Sequence, residues 1–303
     1  MFSALLNSRG RNAKIAVALG AAIWGLYWIP LRALDEAGIT GAWATFLYYL
    51  GPLILWLPIA LARARRLATG RAGLWLTGFP IALSMVLYAN ALIFTEVVRA
   101  VLLFYLTPIW STVLAHYVLG DPITRLRWIS IGLGFAGLFV ILGVDQGIPL
   151  PGNLGDWLAL VAGLAWAAAA VRLRQDRANE AEEITFGYLL LGTLIALIAC
   201  AFPDGRTGPL PALETVFQVL PWLVPVLLII VIPSSFLIVW GARLLNPGLV
   251  GVLFMTEISV GAGSAALLAD EPFGLREILG VLLISSAGLL ESIAPESSAS
   301  KVK

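Results

Sequence analysis

The chain has 303 residues, of which 60% are hydrophobic and only 12% charged, and its mean hydropathy is +0.93. A soluble domain of this size carries about twice that share of charge, so a freely soluble fold is excluded. A net charge of +1 gives no general attraction to nucleic acid, and a single cysteine (Cys200) and a single histidine (His116) exclude an internal disulfide, a CxxC centre and a Cys/His metal cluster.

In chain order, a basic arm comes first, residues 1–14, with Arg9, Arg11 and Lys14. The apolar run that follows reaches Leu34. It is longer than the apolar core of a signal peptide and further spans follow it, so it reads as a retained membrane helix. The pattern predicts an all-α integral membrane protein with ten transmembrane helices, at 15–33, 41–62, 73–94, 99–118, 128–144, 154–171, 184–202, 218–240, 248–268 and 277–293. Each is long enough for a helix to cross about 30 Å of hydrocarbon.

The basic residues alternate in side. With the N-terminus placed in the cytoplasm, 15 of the 19 Lys and Arg fall on that side, and Arg32, Arg99, Arg206 and Arg276 remain outside. This bias predicts cytoplasmic termini at both ends. An odd number of spans would spoil it.

The ten spans divide into five and five, a first repeat at 15–144 and a second at 154–293, followed by a polar cytoplasmic tail at 294–303. Residues Tyr105–Leu138 and Met255–Leu290 each run as an apolar span, an acidic-Pro hinge and a Gly-bearing span. The hinges, Asp121-Pro122 and Glu271-Pro272, are 150 residues apart. Because five is odd, the second copy is expected to sit inverted, as in secondary transporters whose site lies at the midplane between halves. One copy of each half in the chain is enough for a monomer.

These residues resemble a family. Ala22-Ile23-Trp24-Gly25, Leu106-Thr107-Pro108-Ile109 and the two acidic-Pro hinges are similar to the EamA-type branch of the drug/metabolite transporter superfamily. The stretch from Trp24 to Pro30 most resembles the YddG aromatic amino acid exporters. The resemblance implies a bundle of ten helices, two inverted halves around a central cavity, and export across the bacterial inner membrane.

Glu257 is the sharpest site candidate, because an ionisable group near the middle of a span costs several kcal/mol unless it meets a cavity or a partner. A proton-coupling role, a role as partner for a substrate ammonium, and a purely structural role are all open to it. Trp24, Tyr88, Tyr105, Trp110 and Trp166 lie deep in their spans and are expected to line a cavity for aromatic amino acids, with Asn90 as an uncharged polar contact. Helical spacing sets Tyr88 apart from Asn90, and Tyr105 apart from Trp110. Trp56, Trp75, Trp128, Trp157, Trp222 and Trp240 lie near span ends and suit an interfacial belt. The lone His116 is read as structural, Glu96 and Arg99 as a pair across a short external turn, and Glu180, Glu182 and Glu183 as a solvated loop beside Arg172, Arg174 and Arg177.

The expected partners are thus a small-molecule substrate and membrane lipid, with no cofactor, no metal and no nucleic acid. There is no Walker A sequence for ATP hydrolysis. Export of aromatic amino acids leads, and efflux of aromatic cations or other metabolites is the alternative. An amino acid needs a recognition point for its carboxylate, and no deep Arg or Lys supplies one. A lipid-modifying enzyme would need paired carboxylates, a His cluster or a Ser/Lys dyad near one interface. A channel would need continuous polar rings. Neither pattern is present.

Overall fold

The computed structural model describes residues 2–69, 72–95, 97–142, 150–201, 208–268 and 274–293. Among these the regular structure is entirely helical. In chain order the elements are α1 (Phe2–Trp24), α2 (Trp28–Glu36), α3 (Gly41–Ala62), a short α4 (Ala64–Thr69), α5 (Ala72–Phe94), α6 (Val97–Phe104), α7 (Thr107–Leu119) and α8 (Arg125–Leu142). Then come α9 (Leu154–Gln175), α10 (Ala181–Cys200), α11 (Leu213–Val226), a π-helical turn at Leu227–Val231, α12 (Ile232–Ala242), α13 (Pro247–Phe254), α14 (Thr256–Leu268) and α15 (Leu275–Ile293).

Eight stretches among the described residues are long and apolar enough to cross a membrane: Arg9–Glu36, Gly41–Ala62, Gly73–Leu92, Arg99–Leu119, Leu154–Gln175, Ala181–Cys200, Leu213–Ala242 and Pro247–Leu268. They coincide with eight of the ten expected spans. The other two expectations fall on α8 and α15, whose ends adjoin undescribed residues. The second hinge at Glu271-Pro272, the tail from 294, and Arg71, Glu96 and Arg206 lie outside the described residues.

The long helices of the first half each pack on one of the second. α3 lies on α10, α8 on α15 and α7 on α13, while α1 lies on α12 and α5 on α9. Small residues allow these approaches where the hydrophobic effect gives no drive between helices. At the α8–α15 contact, a Cβ on Gly137 would lie 2.6 Å from the Gly280 carbonyl, and one on Gly280 would lie 2.8 Å from the Gly137 carbonyl. The outward faces carry exposed Trp75, Trp128 and Trp157. Trp56 departs from the belt expectation. It is only 5% exposed, and its indole N–H donates to the Glu182 carbonyl at 3.2 Å.

Polar contacts gather at the two ends of the bundle. At the arginine-rich end, Arg63 reaches Glu180 and Glu182, each at 2.9 Å, and Glu183 at 2.7 Å. Arg66 also holds Glu180. This corrects the solvated-loop reading, because Glu183 is 3% exposed and the cation comes from the end of α3 rather than from the neighbouring arginines. Arg66, and then Arg63, hold the Glu180 carboxyl below the usual carboxylate range. A lowered folded pKa adds stability above the unfolded value and loses it on acidification through the folded one. The melting temperature of wild type should therefore exceed that of Glu180→Gln near neutral pH, and the difference should shrink as the pH falls below the ordinary carboxylate range and through the lowered folded value.

At the opposite end Asp156 is fully buried. It accepts from Arg99 Nη2 at 2.5 Å, from the Thr95 hydroxyl at 2.7 Å and from the Gly152 N–H at 2.9 Å. The expected partner Glu96 lies outside the described residues, and Asp156 is a partner of Arg99 that the sequence does not announce.

Candidate functional site

Three of the long apolar stretches are interrupted near their middles, at residues 25–27, at Tyr105-Leu106 and at Met255. Proline accounts for two of the breaks. Pro30 has no N–H to give the Leu26 carbonyl, and Pro108 has none for Phe104. The Thr107 hydroxyl takes over the Phe104 carbonyl at 2.5 Å. The third break has no proline. There the Thr256 hydroxyl donates to the carbonyls of Leu253 at 2.8 Å and Ala18 at 3.2 Å. A fourth stretch carries its π-helical turn just before Pro233. Such irregular backbone within a membrane is tolerated where protein or a cavity satisfies it, and it marks transporter sites.

The three breaks meet at Glu257. The Tyr105 hydroxyl donates to Glu257 Oε2 at 2.7 Å, and the Phe254 carbonyl is 3.5 Å from the same hydroxyl. Among the described residues no Lys, Arg or His lies within ion-pairing distance of Glu257. Glu257 stands in the first turn of α14, where the N-terminal end of the helix dipole favours a negative charge. From the other side Gly25 touches the same turn. A Cβ there would sit 2.5 Å from the Glu257 carbonyl and 2.8 Å from the Gly261 N–H. Both neighbours are backbone and cannot rotate away. Gly25→Val is therefore expected to destabilise the protein by about 1–3 kcal/mol through overpacking, read as a lower melting temperature, with Gly25→Ala intermediate. An unchanged melting temperature for the valine variant would show that α1 and α14 do not approach this closely.

Aromatic rings surround this carboxylate. Trp24, at the end of α1, lies 6.2 Å from Trp166 of α9 and 5.7 Å from Phe254 of α13, and Trp166 and Phe254 are 4.7 Å apart. Tyr88 of α5 stacks on Phe104 at 4.2 Å, and Phe104 meets Tyr105 edge-on at 5.3 Å. Such pairs contribute about 0.5–1.5 kcal/mol each beyond the area they bury. The structure thus brings together Trp24, Tyr88, Tyr105, Trp166 and Glu257. Tyr105 and Trp166 are 2% and 1% exposed, while Trp24, Tyr88 and Glu257 are half-buried. The other two predicted residues stand apart. Asn90 donates back to the Val86 carbonyl of its own helix at 2.8 Å, and no ring contact joins Trp110 to the cluster among the described residues. Phe254 and Phe104 were missed because phenylalanine has no polar handle to distinguish it from other apolar residues in a span. Several polar span residues act as helix connectors, as Ser84 does in donating to the Ala162 carbonyl at 2.8 Å.

Residues 12–143 match the EamA-like transporter family. An uncharacterized transporter of Acidianus ambivalens, encoded in the sor 3' region, is 30% identical over 137 residues, 45% of this chain. The matched stretch spans 53% of that relative's length. The uncharacterized transporter sll1319 of Synechocystis is 24% identical over 237 residues, covering 75% of this chain and 69% of its own. A protein of known crystal structure has the same fold, with a TM-score of 0.71 at 16% identity over 93% of this chain and 98% of its own. The EamA-like first half contains Trp24, Tyr88 and Tyr105, and Trp166 and Glu257 come from the second.

Proposed function

We propose that the protein is a secondary transporter, not an enzyme, that moves aromatic or other hydrophobic amino acids out of the cell by alternating access. The observation that carries this reading is the Tyr105–Glu257 pair, set where three broken helices meet beside Trp24, Trp166 and Tyr88. A carboxylate with no basic partner among the described residues suits a substrate ammonium, and the rings suit an aromatic side chain.

Two inverted halves support the mechanism. The helix pairings are those a two-fold axis between the halves would generate: the second span with the seventh, fourth with ninth, fifth with tenth, and first with eighth mirrored by sixth with third. The breaks at 105 and 255 also repeat the 150-residue offset of the hinges. In this reading α8 and α15 complete ten transmembrane helices, the arginine-rich end faces the cytoplasm of a bacterial inner membrane, and the chain works as a monomer. All eight residues of α13 are buried, whereas in α14 only Ser264 is. Along this span the arginine-rich side is thus packed and the other side looser, which suits an outward-open state.

Efflux of aromatic cations is the second reading, favoured by the lack of a basic residue at Glu257 among the described residues. Counterflow into liposomes holding the purified protein separates the two. Exchange of labelled tryptophan, with little exchange of threonine or of a quaternary aromatic cation, is expected. Exchange of the cation alone would overturn the amino acid assignment.

A further inference from the structure

We propose that Asn246 is a positioning residue that closes the substrate path at the arginine-rich end, by tying the acidic-Pro hinge of the first half to the start of α13. The proposal rests on the transport reading above. α7 and α13 pack side by side. α7 runs from the Tyr105 break to Gly120, whose φ of +71° turns the chain into the Asp121-Pro122 hinge. α13 runs from Asn246 to the Met255 break. Each helix thus has one end at the Glu257 junction and the other at the hinge beside Asn246, and along the eight residues of α13 the two lie about 12 Å apart.

Asn246 uses both ends of its amide there. Its Oδ1 accepts from the N–H groups of Gly248 at 2.9 Å and Leu249 at 3.4 Å, an ordinary helix N-cap. The same oxygen accepts from Arg127 Nη1 at 2.8 Å, and its Nδ2 donates to Asp121 Oδ2 at 2.5 Å. A serine would cap the helix as well, but it has no amide N–H to bond Asp121. Asp121 is 9% exposed, and its carbonyl is further held by His116 Nδ1 at 2.9 Å. Along the seam below, missing side chains let the helices close. A Cβ on Gly248 would lie 2.5 Å from the Thr112 hydroxyl, and one on Gly251 would lie 2.8 Å from Pro108 Cα. A path opening at this end must part α7 from α13, and the Asn246 bonds to Asp121 and Arg127 bridge that parting line.

The test uses the full chain with Cys200→Ser and a reporter Thr112→Cys, since Thr112 is 4% exposed beneath the hub. A membrane-impermeant maleimide is applied to either face of vesicles. Labelling of the reporter from the arginine-rich face should be slow with Asn246 present. It should rise about tenfold or more in Asn246→Ser, which keeps the cap but loses the charge-assisted bond. Asn246→Asp should rise as well, because its carboxylate faces Asp121. The swap Asn246→Asp with Asp121→Asn re-forms an amide–carboxylate bond and should return labelling to the slow rate. Unchanged labelling in Asn246→Ser, or fast labelling in the swap with an unchanged melting temperature, would overturn the proposal. The readout needs no substrate, so a wild type that exchanges no amino acid would fail the amino acid assignment, while labelling would still report whether Asn246 holds this end shut.

Discussion

Glu257→Gln should lower exchange of an ammonium-bearing substrate by about a hundredfold or more. The carboxylate stands at the meeting point of three helix breaks, held only by the Tyr105 hydroxyl at 2.7 Å, with no cation beside it among the described residues. In such a site the substrate supplies the opposite charge. Leaving a buried charge without its partner costs about 3–5 kcal/mol, which corresponds to about two to three and a half decades in affinity. Glutamine keeps the volume and can still accept from Tyr105, so the melting temperature should change little. Tyr105→Phe removes one hydrogen bond to a charged group and should cost about tenfold, appearing in the substrate concentration needed for half-maximal exchange more than in the maximal rate. Full exchange retained in Glu257→Gln would reduce Glu257 to a structural residue.

The second large effect concerns folding at the opposite end. Arg99→Ala should destabilise the protein by about 3 kcal/mol, the low end of the range for a broken buried pair. Asp156 is fully buried and its strongest partner is Arg99, but the arginine side chain is 31% exposed and Thr95 and Gly152 remain as donors. Two charges desolvated together contribute less than either loses alone, so Arg99→Ala with Asp156→Ala should recover part of the loss. Thermal unfolding in detergent measures both. A double variant as unstable as the sum of the single ones would show that the two residues act independently.

Much of this architecture is legible in the amino-acid order. Long apolar runs and the side bias of arginine report directly on the solvent of each segment, and eight of the ten expected spans appear as helices able to cross a membrane. The deep ionisable residue, Glu257, was legible for the same reason. The breaks were partly legible. Pro30 and Pro108 announce two of them, but the one at Met255 depends on a threonine hydroxyl reaching the Ala18 carbonyl of another helix, which no local pattern encodes. Contacts between distant segments were illegible. Asp156 looks like an ordinary first-turn acid until Arg99 arrives from 57 residues away, and Arg63 finds its three glutamates more than a hundred residues on. Deep position alone did not select the site, since Asn90 bonds within its own helix while Phe254 supplies the ring that joins Trp24 to Trp166.

The central claim is that Glu257 and its surrounding rings hold the substrate. An experimental structure of the protein with bound tryptophan tests it most directly. The account predicts the ammonium within hydrogen-bond distance of Glu257 and the indole against Trp24 and Tyr88. Tryptophan bound elsewhere in the bundle, with Glu257 still held only by Tyr105, would contradict it.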